Sequence, residues 1–203
     1  CLRRTLHAAN MEKKVVVIAG PSGSGKNTLI KEIKARHPKV ATLTTVTTRS
    51  PRPHEVNGED YYFYSIEEFD REVQKGNIKG ERYVQLFGGV HYGIYLPDLY
   101  KKLKEATVVF APVDITGAEW LKQHYGALTI FITPESFEQY RVRIRNRSPE
   151  MNPREFDMRM KIAREELGVH AEKYDYRVVS YDGGLSDLTA QTLEILAKEG
   201  YTL

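Results

Sequence analysis

The chain has 203 residues, 41% of them hydrophobic, a single cysteine and a formal net charge of +3. That length suits one compact α/β domain with an inserted lobe, and it buries a core without disulfides or a structural metal. Acids and bases are mixed along most of the chain, which does not suggest a nucleic-acid binder. No apolar run approaches the ~20 residues that span a bilayer, and Cys1 alone excludes an internal disulfide and fits a reducing, cytoplasmic setting.

Residues 1–12 are expected to be an N-terminal extension. Arg3 and Arg4 are not followed by the apolar stretch of a secretory signal, and Met11 is a candidate natural start. Val15 to Ile18, four β-branched residues, predict a buried strand over 14–19. Gly20-Pro21-Ser22-Gly23-Ser24-Gly25-Lys26 follows. Leu29, Ile30 and Ile33 then recur at helical spacing and predict a helix over 26–36. Strand, glycine-rich turn and helix in that order build a phosphate cradle, with backbone N–H groups converging on an anion and Lys26 reaching the β- and γ-phosphates. The residue after the lysine is usually Ser or Thr, whose hydroxyl ligates Mg²⁺. Here it is Asn27, whose amide oxygen is the candidate metal ligand, with Thr28 beside it.

The segment 41–64, rich in Thr, Pro, Gly and Tyr, reads as strands and turns. Arg49 and Arg52 stand three apart with Pro51 stiffening the backbone between them. Each guanidinium can grip phosphate oxygens bidentately, and the hydroxyls of Thr45 and Tyr61 can add hydrogen bonds. Ser65-Ile66-Glu67-Glu68 has the form of a capping box that opens a short helix to about residue 75. The aromatic, glycine-rich stretch 80–95 predicts strand and turn, and a helix follows near 97–104. Val108 to Val113 reads as a second central strand with Pro112 near its end. A helix over 116–124 and a strand over 127–133 follow, and Pro134 is expected to start a helix. Arg141, Arg143, Arg145 and Arg147 alternate, so on a helix they spread over more than one face. Phe156, Met160, Ala163 and Leu167 fall on one helical face; Tyr176 to Ser180 is a last strand and Leu188, Thr192, Ile195 and Leu196 mark a closing helix. Strands alternating with helices at both ends argue for a parallel sheet covered on both faces. The stretch 41–95 interrupts that alternation as an inserted substrate lobe.

These motifs resemble the guanylate kinase family over residues 13–199. The carriers are GPSGSGKNT at 20–28, TTRSPRPHEVNGEDYYF at 47–63, FGGVHYG at 87–93, VDITG at 113–117 and RVRIRNR at 141–147, followed by Arg159. The resemblance implies a P-loop three-layer α/β fold with a parallel central sheet (13–40, 96–140 and 168–203), an inserted mixed-β nucleotide-monophosphate lobe (41–95) and a helical lid (141–167). It implies ATP and Mg²⁺ as cofactors and the reaction ATP + GMP → ADP + GDP. The partners would be small nucleotides, with dGMP as another acceptor, and neither nucleic acid nor membrane; the assembly would be a monomer or homodimer. By position Arg49, Arg52, Tyr61 and Tyr92 match the clamp on the acceptor phosphate, and Glu55 belongs to the same substrate-binding segment. Thr45 matches a hydroxyl that reads guanine, and Asp114 a carboxylate on the guanine edge. Arg143, Arg147 and Arg159 match lid arginines that close over the donor phosphates. Lys26, Arg49, Arg147 and Arg159 form the implied catalytic set, and Gly20, Ser22, Gly23, Ser24, Gly25, Lys26, Asn27, Thr28 and Arg143 the nucleotide-binding set.

The chain departs from the family pattern at Asn27; at Pro112, where an Asp-x-Asp pair would begin; at Ile94, where a phosphate-binding Ser or Thr is usual; and at Ser180, where an asparagine near the donor adenine is common. Counting back from Tyr92, the guanine-reading glutamate falls on Tyr83. Glu81 shares Tyr83's strand face, and a register bulge would be needed for it to substitute. The departures cluster at base reading and metal holding, so kinase chemistry is plainer than guanine specificity. Two other readings keep part of the pattern: a kinase of the same fold acting on ribose 1,5-bisphosphate, and a non-catalytic module that binds phosphopeptides through Arg49, Arg52 and Tyr61. The complete glycine pattern and Lys26 count against the second.

Overall fold

The computed structural model describes residues 14–84 and 89–203. The expected N-terminal extension, and Phe87 and Gly88 of the FGGVHYG motif, lie outside the described residues. β1 (Val15–Ala19) is buried along its whole length because it lies mid-sheet with helices on both faces. Val15, Val17 and Ala19 pack toward α3 (Leu96–Glu105) and α4 (Ile115–Tyr125) through Leu99, Ala118 and Leu121. Val16 and Ile18 pack the other way, on Leu29, Ile30 and Ile33 of α1 (Lys26–Arg36) and on Leu188 and Leu196 of α7 (Leu185–Lys198). This period-two split of one apolar run makes the three layers.

The central sheet has five parallel strands in the order β2 (Val40–Thr42), β7 (Val108–Ala111), β1, β8 (Leu128–Pro134), β9 (Tyr176–Ser180). A second, mixed sheet runs β4 (Tyr62–Phe63), β3 (Val46–Thr47), β6 (Val90–Tyr95), β5 (Ile78–Val84). Its core of Val46, Phe69 and Ile78 is closed by α2 (Ile66–Gln74), whose capping box forms as its sequence predicts, with Ser65 and Glu68 exchanging bonds. The lobe is tied to the core at a hinge. Asp98 on α3 accepts from the Thr44 N–H at 2.9 Å and from the Tyr62 hydroxyl at 3.1 Å, and pairs with Lys102 at 2.7 Å.

Two local expectations are corrected. Pro134 closes β8 rather than opening a helix; α5 (Phe137–Arg147) starts three residues later, where the Ser136 hydroxyl caps the Gln139 N–H. Phe156, Met160 and Ala163 of α6 (Pro153–Glu165) do share a buried face with Tyr140 and Ile144, but Leu167 leaves it and packs on the main core. A π-helical turn at Glu166–His170 widens the spiral there and rotates the following side chains away from the α-helical face.

Candidate active site

A cleft of about 600 Å³ opens between core, lobe and lid at the carboxyl ends of the parallel strands, where α/β sheets bind ligands. Its floor is the loop after β1. Gly20 has φ +139°, and a Cβ there would lie 2.3 Å from the Ile132 carbonyl oxygen, so only glycine lets this strand turn so tightly against β8. Gly25 caps α1 without any side-chain hydrogen bond, and the first turn carries no acid. The free N–H groups and the positive end of the helix are therefore left for an anion. Lys26 folds over the loop, its Nζ donating to the Gly20 carbonyl at 2.5 Å and the Pro21 carbonyl at 2.9 Å. Poor solvation lowers its pKa to about 8; the charge of Glu166 pulls it up and that of Arg147 pushes it further down. Asn27 and Thr28 line the cleft beside it and offer hard oxygen donors. Ser24 is buried beneath the loop instead, with its hydroxyl unpartnered among the described residues.

The lid lies against this loop. The Tyr140 hydroxyl donates to the Ser22 carbonyl at 3.0 Å, and Ile144 sits so close that a Cβ on Gly23 would meet it at 2.5 Å. Arg159 is held by Glu155 at 2.9 Å and reaches Ser22 Oγ at 3.5 Å, while Arg143 pairs with Asp182. Arg147 lines the cleft without a carboxylate partner among the described residues.

Across the cleft, Arg49 makes a bidentate pair with Glu55, Nη1 to Oε2 at 2.8 Å and Nη2 to Oε1 at 3.0 Å, and stacks over Tyr61 and Phe63. Glu55 also accepts the Arg52 backbone N–H at 2.7 Å, closing the Pro-containing turn on itself. Burial alone would raise the Glu55 pKa; the bonds from Arg49 and from the Arg52 backbone outweigh it and hold the carboxyl below its ordinary value. Arg52 is shifted down by burial and by the nearby charges of Arg49 and Arg159, a crowding that an anion between them would relieve. Tyr61 and Tyr92 stand edge to face at 6.3 Å beside these arginines.

Thr45, Asp114, Ile94 and Pro112 form the third side. Asp114 is already engaged: Oδ1 accepts the Gly117 N–H as the cap of α4, and Oδ2 lies 3.3 Å from Arg82 Nη1. The strand register corrects the expectation for this side. A bulge between Lys79 and Arg82 is present, but it places Arg82 opposite Tyr92 and in the cleft; Glu81 is exposed, and Tyr83 is exposed with its ring tilted against His91.

Every residue of the expected site except Ser24 borders this one cleft. Sequence reasoning missed Arg82, Tyr140 and Glu166. Glu166 pairs with Arg82 at 3.5 Å, and burial raises its pKa against the opposing charges of Lys26 and Arg82. Its spacing was a signal, since it follows Arg159 and Ile162 at i+7 and i+4 on one helical face. Arg82 left no such signal, because its orientation depends on the bulge.

The family model for guanylate kinase matches residues 12–198. The chain is 34% identical over 170 residues to the guanylate kinase of Trichormus variabilis, covering 83% of each, and 36% identical over 169 residues to that of Parasynechococcus marenigrum, covering 83% of this chain and 90% of the other. The crystal structure of guanylate kinase from Anaplasma phagocytophilum superposes with a TM-score of 0.70 at 27% identity, over 95% of this chain and 89% of that one. By sequence and by shape alike, the chain belongs to the guanylate kinase family.

Proposed function

We propose that the protein transfers the γ-phosphoryl group of ATP to GMP or dGMP, giving ADP and the nucleoside diphosphate. One observation carries the reading: two cationic centres, the loop around Lys26 and the pair Arg49–Arg52, line a single cleft. Phosphoryl transfer asks the protein mainly to bring two anions together in line and to neutralise them. Lys26 leaves the two loop carbonyls for the donor phosphates, and Arg49 and Arg52, with the hydroxyls of Tyr61 and Tyr92, fix the acceptor phosphate. Glu55 holds Arg49 in plane before the acceptor arrives, which lowers the ordering cost of binding. Arg147 and Arg159 bring further charge from the lid, and lid closure excludes water that would otherwise intercept the phosphoryl group. No general base is needed, because the attacking phosphate oxygen is already anionic.

The oxygen donors at the loop fit a magnesium ion carried on the nucleotide. No group of three or more His, Cys, Asp or Glu able to hold a metal occurs among the described residues, so such an ion would be held chiefly by phosphates and water, with the Asn27 amide oxygen as protein ligand. Bound there it would neutralise charge on the β- and γ-oxygens. No helix among the described residues is long and apolar enough to cross a membrane. A coupled assay with ATP and Mg²⁺ against GMP, dGMP, AMP, UMP, CMP and ribose 1,5-bisphosphate tests the proposal. GMP and dGMP should turn over fastest; turnover of ribose 1,5-bisphosphate alone, or of nothing, would overturn it.

A further inference from the structure

Arg82 lines the cleft, and the proposed reaction gives it no task. Gly80, at φ +60°, carries the bulge, and the ladder passes from Lys79 opposite Ile94 to Arg82 opposite Tyr92. Without the extra residue, Glu81 would face Tyr92. The bulge therefore sends a carboxylate to solvent and brings a guanidinium into the cleft. Two carboxylates meet that guanidinium, and both meet it at the same atom: Nη1 lies 3.3 Å from Asp114 Oδ2 and 3.5 Å from Glu166 Oε1. The opposite edge, Nε–H and Nη2–H, has no partner among the described residues. Two parallel donors on a planar fork match two acceptors that lie side by side.

The phosphates of donor and acceptor have their own cations in Lys26, Arg49 and Arg52, which leaves the sugar and the base of the acceptor; of these the planar edge of a base matches a planar two-donor fork. Guanine presents O6 and N7 together as acceptors, whereas adenine places an amino donor beside N7 and repels such a fork. Resting on the proposed phosphorylation of GMP, we infer that Arg82 reads the acceptor base, donating Nε–H and Nη2–H to O6 and N7 while Asp114 and Glu166 fix the guanidinium plane. Base selection in this chain is then made by a cation held on two carboxylates.

The test measures kcat/KM at saturating ATP for GMP, for 7-deaza-GMP (N7 replaced by C–H) and for AMP, with the unaltered protein, Arg82→Gln and Arg82→Lys. The unaltered protein should use GMP about tenfold better than 7-deaza-GMP, with AMP lower still. Arg82→Gln should lose at least about tenfold on GMP yet treat GMP and 7-deaza-GMP alike, and Arg82→Lys should recover part of the loss. A variant that lowers both guanine substrates in parallel and keeps their ratio makes Arg82 a structural tie and overturns the inference. Equal use of GMP and 7-deaza-GMP by the unaltered protein overturns it without touching the proposed function. Failure to phosphorylate any nucleoside monophosphate overturns both together.

Discussion

The donor end and the base end of the cleft are built on different principles. The donor end is one contiguous stretch, Gly20 to Thr28, and its chemistry is mostly backbone: N–H groups at an uncapped helix start, a glycine that fits against a carbonyl, and one lysine. The end proposed for the base draws Thr45, Arg82 and Asp114 from three separate segments, and a single extra residue at Gly80 decides which charge enters it. On the proposed reading, anion recognition rests on residues that are neighbours in sequence, whereas base recognition would depend on the strand register that the bulge sets.

The largest effect should come from breaking the donor end. Lys26→Ala removes the charge meant for the donor phosphates, and kcat should fall at least ~10³-fold, in line with losses on removing charge that stabilises a transition state. The substitution leaves β1 and α1 buried as before, so the urea midpoint should move little. Turnover within tenfold of the unaltered protein would show that the loop binds nucleotide without serving the reaction. Next comes the acceptor clamp. Arg49→Ala should cost ~10²-fold in kcat/KM for GMP, with ATP affinity within about twofold. A loss confined to ATP would mean that the two ends had been assigned the wrong way round.

A pH experiment separates the ends without a mutation. Lys26 in the free protein holds its proton only below a pKa of about 8, because it is poorly solvated there. A bound triphosphate favours the charged form and raises that pKa. Below pH 8 the lysine is already protonated and ATP affinity should be flat; above it, binding must take up a proton, and affinity should fall by up to ~tenfold per pH unit until the pKa of the complex is reached. The arginines proposed to grip the acceptor stay protonated throughout, so GMP affinity should not follow this curve. Isothermal titration of each nucleotide between pH 7 and 9.5 checks both halves.

How much of this was legible in the sequence follows the same division. The strand 14–19, the helix from Lys26 and the capping box at Ser65 depend on neighbours in sequence, and the structure reproduces them within a residue or so. The juxtaposition of Arg49, Arg52 and Glu55 at the cleft was legible because Pro51 and the turn hold them close along the chain. Pro134 misled because proline suits both the first turn of a helix and the end of a strand, and Ser136 caps better two residues later. Leu167 and Arg82 were illegible for a shared reason: a π-helical turn and a β-bulge each break the period on which face assignments rest. The two irregularities lie at the same place in space, since Glu166 opens the π-helical turn and pairs with Arg82 beyond the bulge.

The smallest and most selective effect should come from Gly80→Ala. At φ +60° an L side chain is strained, and its Cβ would stand 3.2 Å from both the Gly117 Cα and the Ile94 Cδ1. The strain can be relieved by letting the strand shift toward an unbulged register, which turns Arg82 away from Asp114 and Glu166. The expected result is a several-fold rise in KM for GMP with ATP affinity unchanged, together with a stability loss of ~1–2 kcal/mol in urea. If ATP binding weakens as much as GMP binding, the bulge supports the whole cleft and the base end is not an independent module. If only GMP suffers, a single glycine 54 positions beyond Lys26 sets the register that governs which base the phosphate machinery serves.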